Sequence, residues 1–337
     1  MRQWGAAMCG LAAGMLAACG AGAVGAAPEP AAYTGPIIDV HLHAASASAN
    51  GHPPTSICVG ISANLKYDPA EPWGQVFGRL AAEPTCENPI WGPMTDEEVM
   101  SETIAVMRRL NIRGVLSDAP GAVNTWREAA PELFIPARMF NLAYSRETPE
   151  MLGEAFRNGE FAVLGEVTNQ YAGFLADHER FDAYWALAEE LDIPLGIHMG
   201  VGPPGTPALT GGAYRLQSAR QIEDVLARHP RLRVYMMHAG YPYAAETKAM
   251  LYAYPQLYVD TGILQASVPR ADYHAFFSEL VQAGFADRIM FGSDQMNWPG
   301  LIEEGINAIN EAPYLTYEQK KAILHDNAAR FLRLETE

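Results

Sequence analysis

Short apolar runs recur eight times along this chain, separated for the most part by stretches with the spacing of amphipathic helices. The runs fall at 37–43, 114–117, 134–137, 162–167, 194–198, 233–238, 257–261 and 289–293. Continuous apolar runs of this length are what strands buried on both faces require, and strands alternating with helices build a parallel sheet. Helical patterns are read at 149–157, 178–191, 219–229, 242–254, 271–283 and 300–310. Thr95 with Glu98 forms a capping box that opens a further helix to about 110, and Thr316 with Gln319 opens a last one to about 334. Eight such units in 337 residues predict a (β/α)8 TIM barrel. An open doubly wound sheet is the competitor, but no glycine-rich fingerprint follows the first strand.

One interval breaks the rhythm. About 50 residues separate His43 from the helix at Thr95, with Cys58, Cys86, Trp73, Phe77 and Trp91 among them. A long insertion leaving the C-terminal end of the first barrel strand lies over the active-site mouth.

The N-terminus reads as a targeting segment, residues 1–18. Arg2 precedes an apolar run at 8–18, too short to span a bilayer. The sequence Leu16-Ala17-Ala18-Cys19-Gly20 resembles a bacterial lipoprotein signal, which implies acylation of Cys19. Lipid chains contribute about 0.8 kcal/mol per buried CH2 and would anchor the protein to a membrane. By that resemblance the chain is exported and sits on the periplasmic side as an outer-membrane lipoprotein. A plain secretory signal cleaved near Ala27, giving a soluble periplasmic or secreted protein, is the alternative. Residues 19–35, rich in Ala, Gly and Pro, form a tether, and 36–337 form one catalytic domain. In an exported setting Cys58 and Cys86 are the pair left to form a disulfide; two buried free thiols are the other reading.

Acids outnumber bases 39 to 23, for a net charge of −16, and no basic run occurs. This argues against a nucleic-acid partner and leaves a small-molecule substrate. The polar residues worth attention stand where the strands end. The first strand carries Asp39-Val40-His41-Leu42-His43, the fourth ends at Glu166, the fifth at His198, the sixth at His238, and Asp294 follows the eighth. Four of the nine histidines therefore gather at one barrel mouth, with two carboxylates. Such donors suit a divalent metal, zinc above all, with Mn2+ or Fe2+ also compatible.

His41-x-His43, then His198, His238 and Asp294 in that order, resembles the ligand order of the amidohydrolase superfamily. The segment from Ile323 to Phe331 is similar to the closing helix of its amidohydrolase-related family. The resemblance spans Ile37 to Phe331. It implies that His41, His43 and Asp294 bind one metal and that His198 binds that ion or a second. His238 would be a second-metal ligand or a catalytic acid/base, and Asp294 would shuttle a proton. Many relatives bridge two metals with a carboxylated lysine on the fourth strand. The four lysines here, Lys66, Lys248, Lys320 and Lys321, lie on no predicted strand. Glu166 stands there instead, as in the deoxyribonuclease-like branch, and either bridges two ions or orients a ligand histidine.

The function this implies is hydrolysis of a C–O or C–N bond in a small ester, lactone or amide by hydroxide generated at one or two metals. The alternatives are a metal-dependent decarboxylase of a small aromatic acid and a non-catalytic binding lipoprotein. Arg215, in the glycine-rich loop after His198, and Trp298, just after Asp294, are candidate substrate-binding residues, with a surface arginine the other reading of Arg215. Asp260 is read as serving its own loop, with support of a metal ligand as the alternative, and His52 as solvent-facing, though the long first loop could bring it to the site.

Overall fold

The computed structural model describes residues 31–200, 202–210 and 214–334. Cys19, the expected signal segment and most of the tether lie outside the described residues. Among those described, no helix is long and apolar enough to cross a membrane.

Eight strands stand side by side in chain order: β1 (Ile37–His43), β2 (Ile112–Ser117), β3 (Phe134–Phe140), β4 (Val163–Val167), β5 (Leu195–His198), β6 (Val234–Met237), β7 (Leu257–Asp260) and β8 (Ile289–Met290). Neighbours pair in parallel throughout. The ring closes where Val40 N donates to Phe291 O at 2.9 Å and Asp294 N donates to His41 O at 2.8 Å. The chain is thus a TIM barrel, with the predicted strand ends gathered at one mouth.

Ile38, Val40, Val115, Ala137, Val163 and Met290 belong to one buried apolar cluster. Each of these side chains larger than alanine contributes about 1.5–3 kcal/mol on leaving water. Tyr235 is buried with them, and its hydroxyl donates to Val40 O at 3.0 Å, so its one polar atom is satisfied. A larger cluster takes in Ile37, Leu42 and Leu116 from the strands and Val99, Trp185 and Leu280 from the helices. Both predicted capping boxes are present, at Thr95 and at Thr316.

Four elements depart from expectation. A helix at Pro120–Ala129 links β2 to β3, burying Val123 and Trp126 one turn apart. The long stretch after β1 is not structureless: it holds the helix α1 (Trp73–Ala82) and a two-stranded ribbon of Ser56–Ile57 against Ile90–Trp91. In α1, Trp73, Val76, Phe77 and Leu80 follow the i, i+3, i+4, i+7 spacing of a helix face, a signal hidden in the sequence by the Gly and Pro around it. The last helix is broken into Tyr317–Lys321, a π-helical turn at Ala322–Asp326 and Asn327–Leu332. Finally, β8 stops at Met290, three residues early. Beyond it Phe291 N donates to Ile323 O and Ser293 N to Asp39 Oδ1, so these amides leave the β7 ladder. Cys58 and Cys86 form a disulfide, with Cα atoms 5.9 Å apart, just inside the two ends of the ribbon.

Candidate metal centre

Two imidazoles meet at the end of β1. The strand is irregular between Asp39 and Leu42, a feature that re-aims side chains. His41 Nε2 and His43 Nε2 end 3.2 Å apart. His41 Nδ1 donates to Asp260 Oδ2 at 2.9 Å, and His43 Nδ1 lies 3.4 Å from Ser117 Oγ. Asp39 points elsewhere: its Oδ1 accepts from His41 N and Ser293 N, each at 3.0 Å, and ties β1 to the segment that carries Asp294.

The opposite wall comes from β4, β5 and β6. The β4 ladder shifts register between Leu164 and Val167, beside Glu166. Glu166 Oε1 lies 2.5 Å from His198 Nδ1 and 3.7 Å from His238 Nε2. Its Oε2 lies 3.5 Å from His43 Nε2 and 3.9 Å from His41 Nε2. His238 Nε2 is 3.0 Å from His198 Nδ1, while His238 Nδ1 donates to the carbonyl of Gly262 at 3.0 Å. Asp294 Oδ1 sits 3.2 Å from His43 Nε2 and 3.7 Å from His41 Nε2. His238 (φ 60°) and Asp294 (φ 48°) both hold left-handed backbone, a strain that residues with side chains keep only where the surroundings enforce it.

The donor set fits a metal for a specific reason. A carbonyl can only accept, so His238 carries its proton on Nδ1, and Asp260 fixes the proton of His41 on Nδ1 in the same way. In their neutral forms both rings therefore turn a bare Nε2 inward. Those lone pairs converge on one another and on carboxylate oxygens, where a cation is the partner that satisfies all of them. The buried donors form three groups: His41, His43 and Glu166; Glu166, His198 and His238; and His41, His238 and Asp260, the first two sharing Glu166.

The titrating groups of the cluster lean on each other. Burial alone would lower His43 and His238, but the carboxylates beside them, Asp294 for His43 and Glu166 for His238, push each up to about 9. Burial would raise Asp294, yet His41 and His43 hold it at about 2, and hydrogen bonds to His198 and His238 hold Glu166 well below the usual range. Burial and the charge of His238 lower His198. Both carboxylates stay ionised, as ligands must.

A cavity of about 370 Å³ opens over this cluster, lined in part by His43, Glu166, His198, His238 and Asp294. The six residues expected to bind metal are thus brought together. Trp298 also lines the cavity, its indole N–H held by Thr55 O at 3.1 Å. Arg215 is exposed and is not among the described lining residues, as the surface reading of this arginine has it. His52 is likewise exposed, with Nδ1 on Pro53 O. Asp260 serves more than its loop, since it orients His41 and accepts from His238 N at 2.7 Å. Tyr171 went unrecognised in the sequence. It follows β4, lines the cavity and places its hydroxyl 3.1 Å from His198 Nε2. Its only sequence signal is an aromatic residue shortly after Glu166 in a short turn.

The barrel is shared with proteins of known structure. An uncharacterised TIM-barrel protein from Bordetella bronchiseptica superposes with a TM-score of 0.62 at 20% identity, covering 88% of this chain and 98% of that one. A probable 2-pyrone-4,6-dicarboxylic acid hydrolase from Acinetobacter baumannii gives 0.56 at 13% identity, covering 88% and 99%. A 5-carboxyvanillate decarboxylase from Novosphingobium aromaticivorans, solved with bound manganese, gives 0.55 at 15% identity, covering 90% and 100%. At these identities the likeness is one of fold. Among curated proteins, Protein fluG of Emericella nidulans is 26% identical over 106 residues, 32% of this chain and 12% of that much longer protein. The family described as Amidohydrolase matches residues 38–334, nearly the whole described barrel, and the chain belongs to that family.

Proposed function

We propose that the protein is a metal-dependent hydrolase that cleaves a C–O or C–N acyl bond in a small ester, lactone or amide. The observation that carries this reading is the position of Glu166, whose two oxygens face separate sets of imidazole nitrogens. His41, His43, Asp294 and Glu166 would hold one divalent ion, and Glu166, His198 and His238 a second, with zinc the assignment that four imidazoles favour. Such ions, when bound, acidify a water and polarise a carbonyl.

The chain's own groups supply the rest. Asp294 reaches the cavity as an ionised carboxylate, placed to take a proton from the attacking water and pass it to the leaving group. His238 is engaged at both nitrogens, by Gly262 O and by the Glu166–His198 set, which suits a ligand better than a proton carrier. Burial pushes the Tyr171 phenol well up, so it stays protonated. Its oxygen can accept from His198 Nε2 while its own hydrogen points to a substrate oxygen.

Metal analysis of the purified full-length chain tests the two-ion arrangement, with two equivalents expected. A panel of lactones, esters and amides, run beside a CO2-release assay on aromatic acids, tests the chemistry. Release of CO2 without any hydrolysis would replace the hydrolase by a decarboxylase.

A further inference from the structure

The walls of the cavity say what kind of molecule it takes. Away from the metal cluster the lining includes Ile57, Ile61, Phe77, Leu80, Met296 and Trp298. Several polar groups among the lining are already engaged. Ser56 Oγ donates to Ala81 O at 2.9 Å, Asn64 Nδ2 to Gly60 O at 3.2 Å, and Asn50 Nδ2 to Asn297 Oδ1 at 2.7 Å. Among the described residues, no lysine or arginine lines the cavity. Among those same residues, the one charged side chain there outside the metal cluster is Asp118, a carboxylate. The two cations on the insertion, Lys66 and Arg79, line an adjoining groove that shares Asn64, Leu80 and Thr85 with this cavity, and Arg79 is paired with Glu71 at 2.5 Å.

An anion carried into this chamber, other than on the reacting group itself, would lose water and meet apolar carbon and a like charge. A neutral chain would lose only its apolar hydration, which favours entry. We propose that the substrate is an uncharged, largely apolar ester or lactone whose non-reacting part lies against Ile61, Phe77 and Leu80, and that the site discriminates against substrates carrying a free carboxylate. This rests on the hydrolase reading above and adds the substrate class to it.

The test uses the metal-loaded full chain with 4-acetoxybenzoic acid and its methyl ester, which share the scissile acetyl bond and differ in one remote charge. The methyl ester is expected to give kcat/KM about 100-fold higher, since the acid must bury an unpaired carboxylate. Leu80→Arg, at a half-buried helix position, should narrow that ratio at least tenfold, and Leu80→Gln, equally polar but uncharged, should not. Equal turnover of acid and ester by the native chain overturns the proposal, as does a ratio indifferent to Leu80→Arg in a variant whose thermal melt is native. If neither ester is cleaved, the hydrolase reading falls instead. Calorimetric binding of the same pair then decides the cavity's preference, and tighter binding of the acid overturns it.

Discussion

Asp260 Oδ2 lies 2.9 Å from His41 Nδ1, and both side chains are fully buried. The carboxylate fixes the proton of His41 on the outer nitrogen and so keeps the inner one free for a metal. Asp260→Asn offers a neutral amide in its place, and should weaken metal binding about 10–100-fold with the barrel still folded. Metal titration followed by circular dichroism checks both parts. Unchanged affinity would mean that His41 is oriented by packing alone.

Glu166 is shared by two of the three donor groups. Glu166→Gln keeps its shape and removes its charge. The variant should retain no more than one equivalent of metal where the native chain is expected to hold two, by elemental analysis after dialysis. Retention of both ions would show that Glu166 orients His198 rather than joining two ions.

Asp294 is held ionised at about 2. Asp294→Asn should lower kcat by about 10²–10⁴-fold through loss of the proton carrier, while the melting temperature of the metal-loaded protein changes little. Full turnover in this variant would remove Asp294 from the mechanism.

Tyr171→Phe deletes one hydroxyl at 3.1 Å from His198 Nε2. Loss of a donor to the reacting oxygen costs about 10²–10³ in kcat where such a donor acts. The expected pattern is a fall in kcat with KM and metal content preserved. A fall in metal content instead would make Tyr171 a support for His198 only.

The Cys58–Cys86 disulfide closes a 28-residue separation within the insertion. In the chain-entropy model such a cross-link is worth about 3–4 kcal/mol. Cys58→Ala with Cys86→Ala should raise KM, because α1 carries Phe77 and Leu80 at the cavity, and should leave kcat near native. Kinetics with and without reductant on the native chain give the same comparison. Loss of kcat with no change in KM would tie the disulfide to the metal cluster instead.

The barrel was legible because its signals are local and periodic. Runs buried on both faces read as strands, and Thr95-x-x-Glu98 names a helix start without reference to the rest of the chain. The metal cluster was legible for a different reason: His41 and His43 are close in sequence, and the others all stand at strand ends, which the fold itself brings together. What escaped depends on distance in space. That Asp260 reaches His41, a contact across 219 positions, follows from barrel curvature and not from its local sequence. For Arg215 the sequence left clamp and surface arginine both open, because a glycine-rich loop fixes no direction for its side chain. Tyr171 was missed because a single aromatic in a short turn carries no periodicity. The early end of β8 was hidden as well, since Phe291 and its neighbours remain buried after leaving the ladder and so keep the composition of a strand.

The two-residue ribbon Ser56–Ile57 with Ile90–Trp91 brings the entry and exit of the insertion side by side, and the disulfide fastens it just within. Such a segment is a cassette: its ends meet in one place, while the six residues gathered for metal all belong to the barrel. A related chain could exchange residues 58–89 and acquire a different chamber over an unaltered reactive centre. The insertion and the barrel loops that carry Tyr171, Ile263 and Trp298 share the wall of the chamber, while the metal cluster is left to the barrel alone.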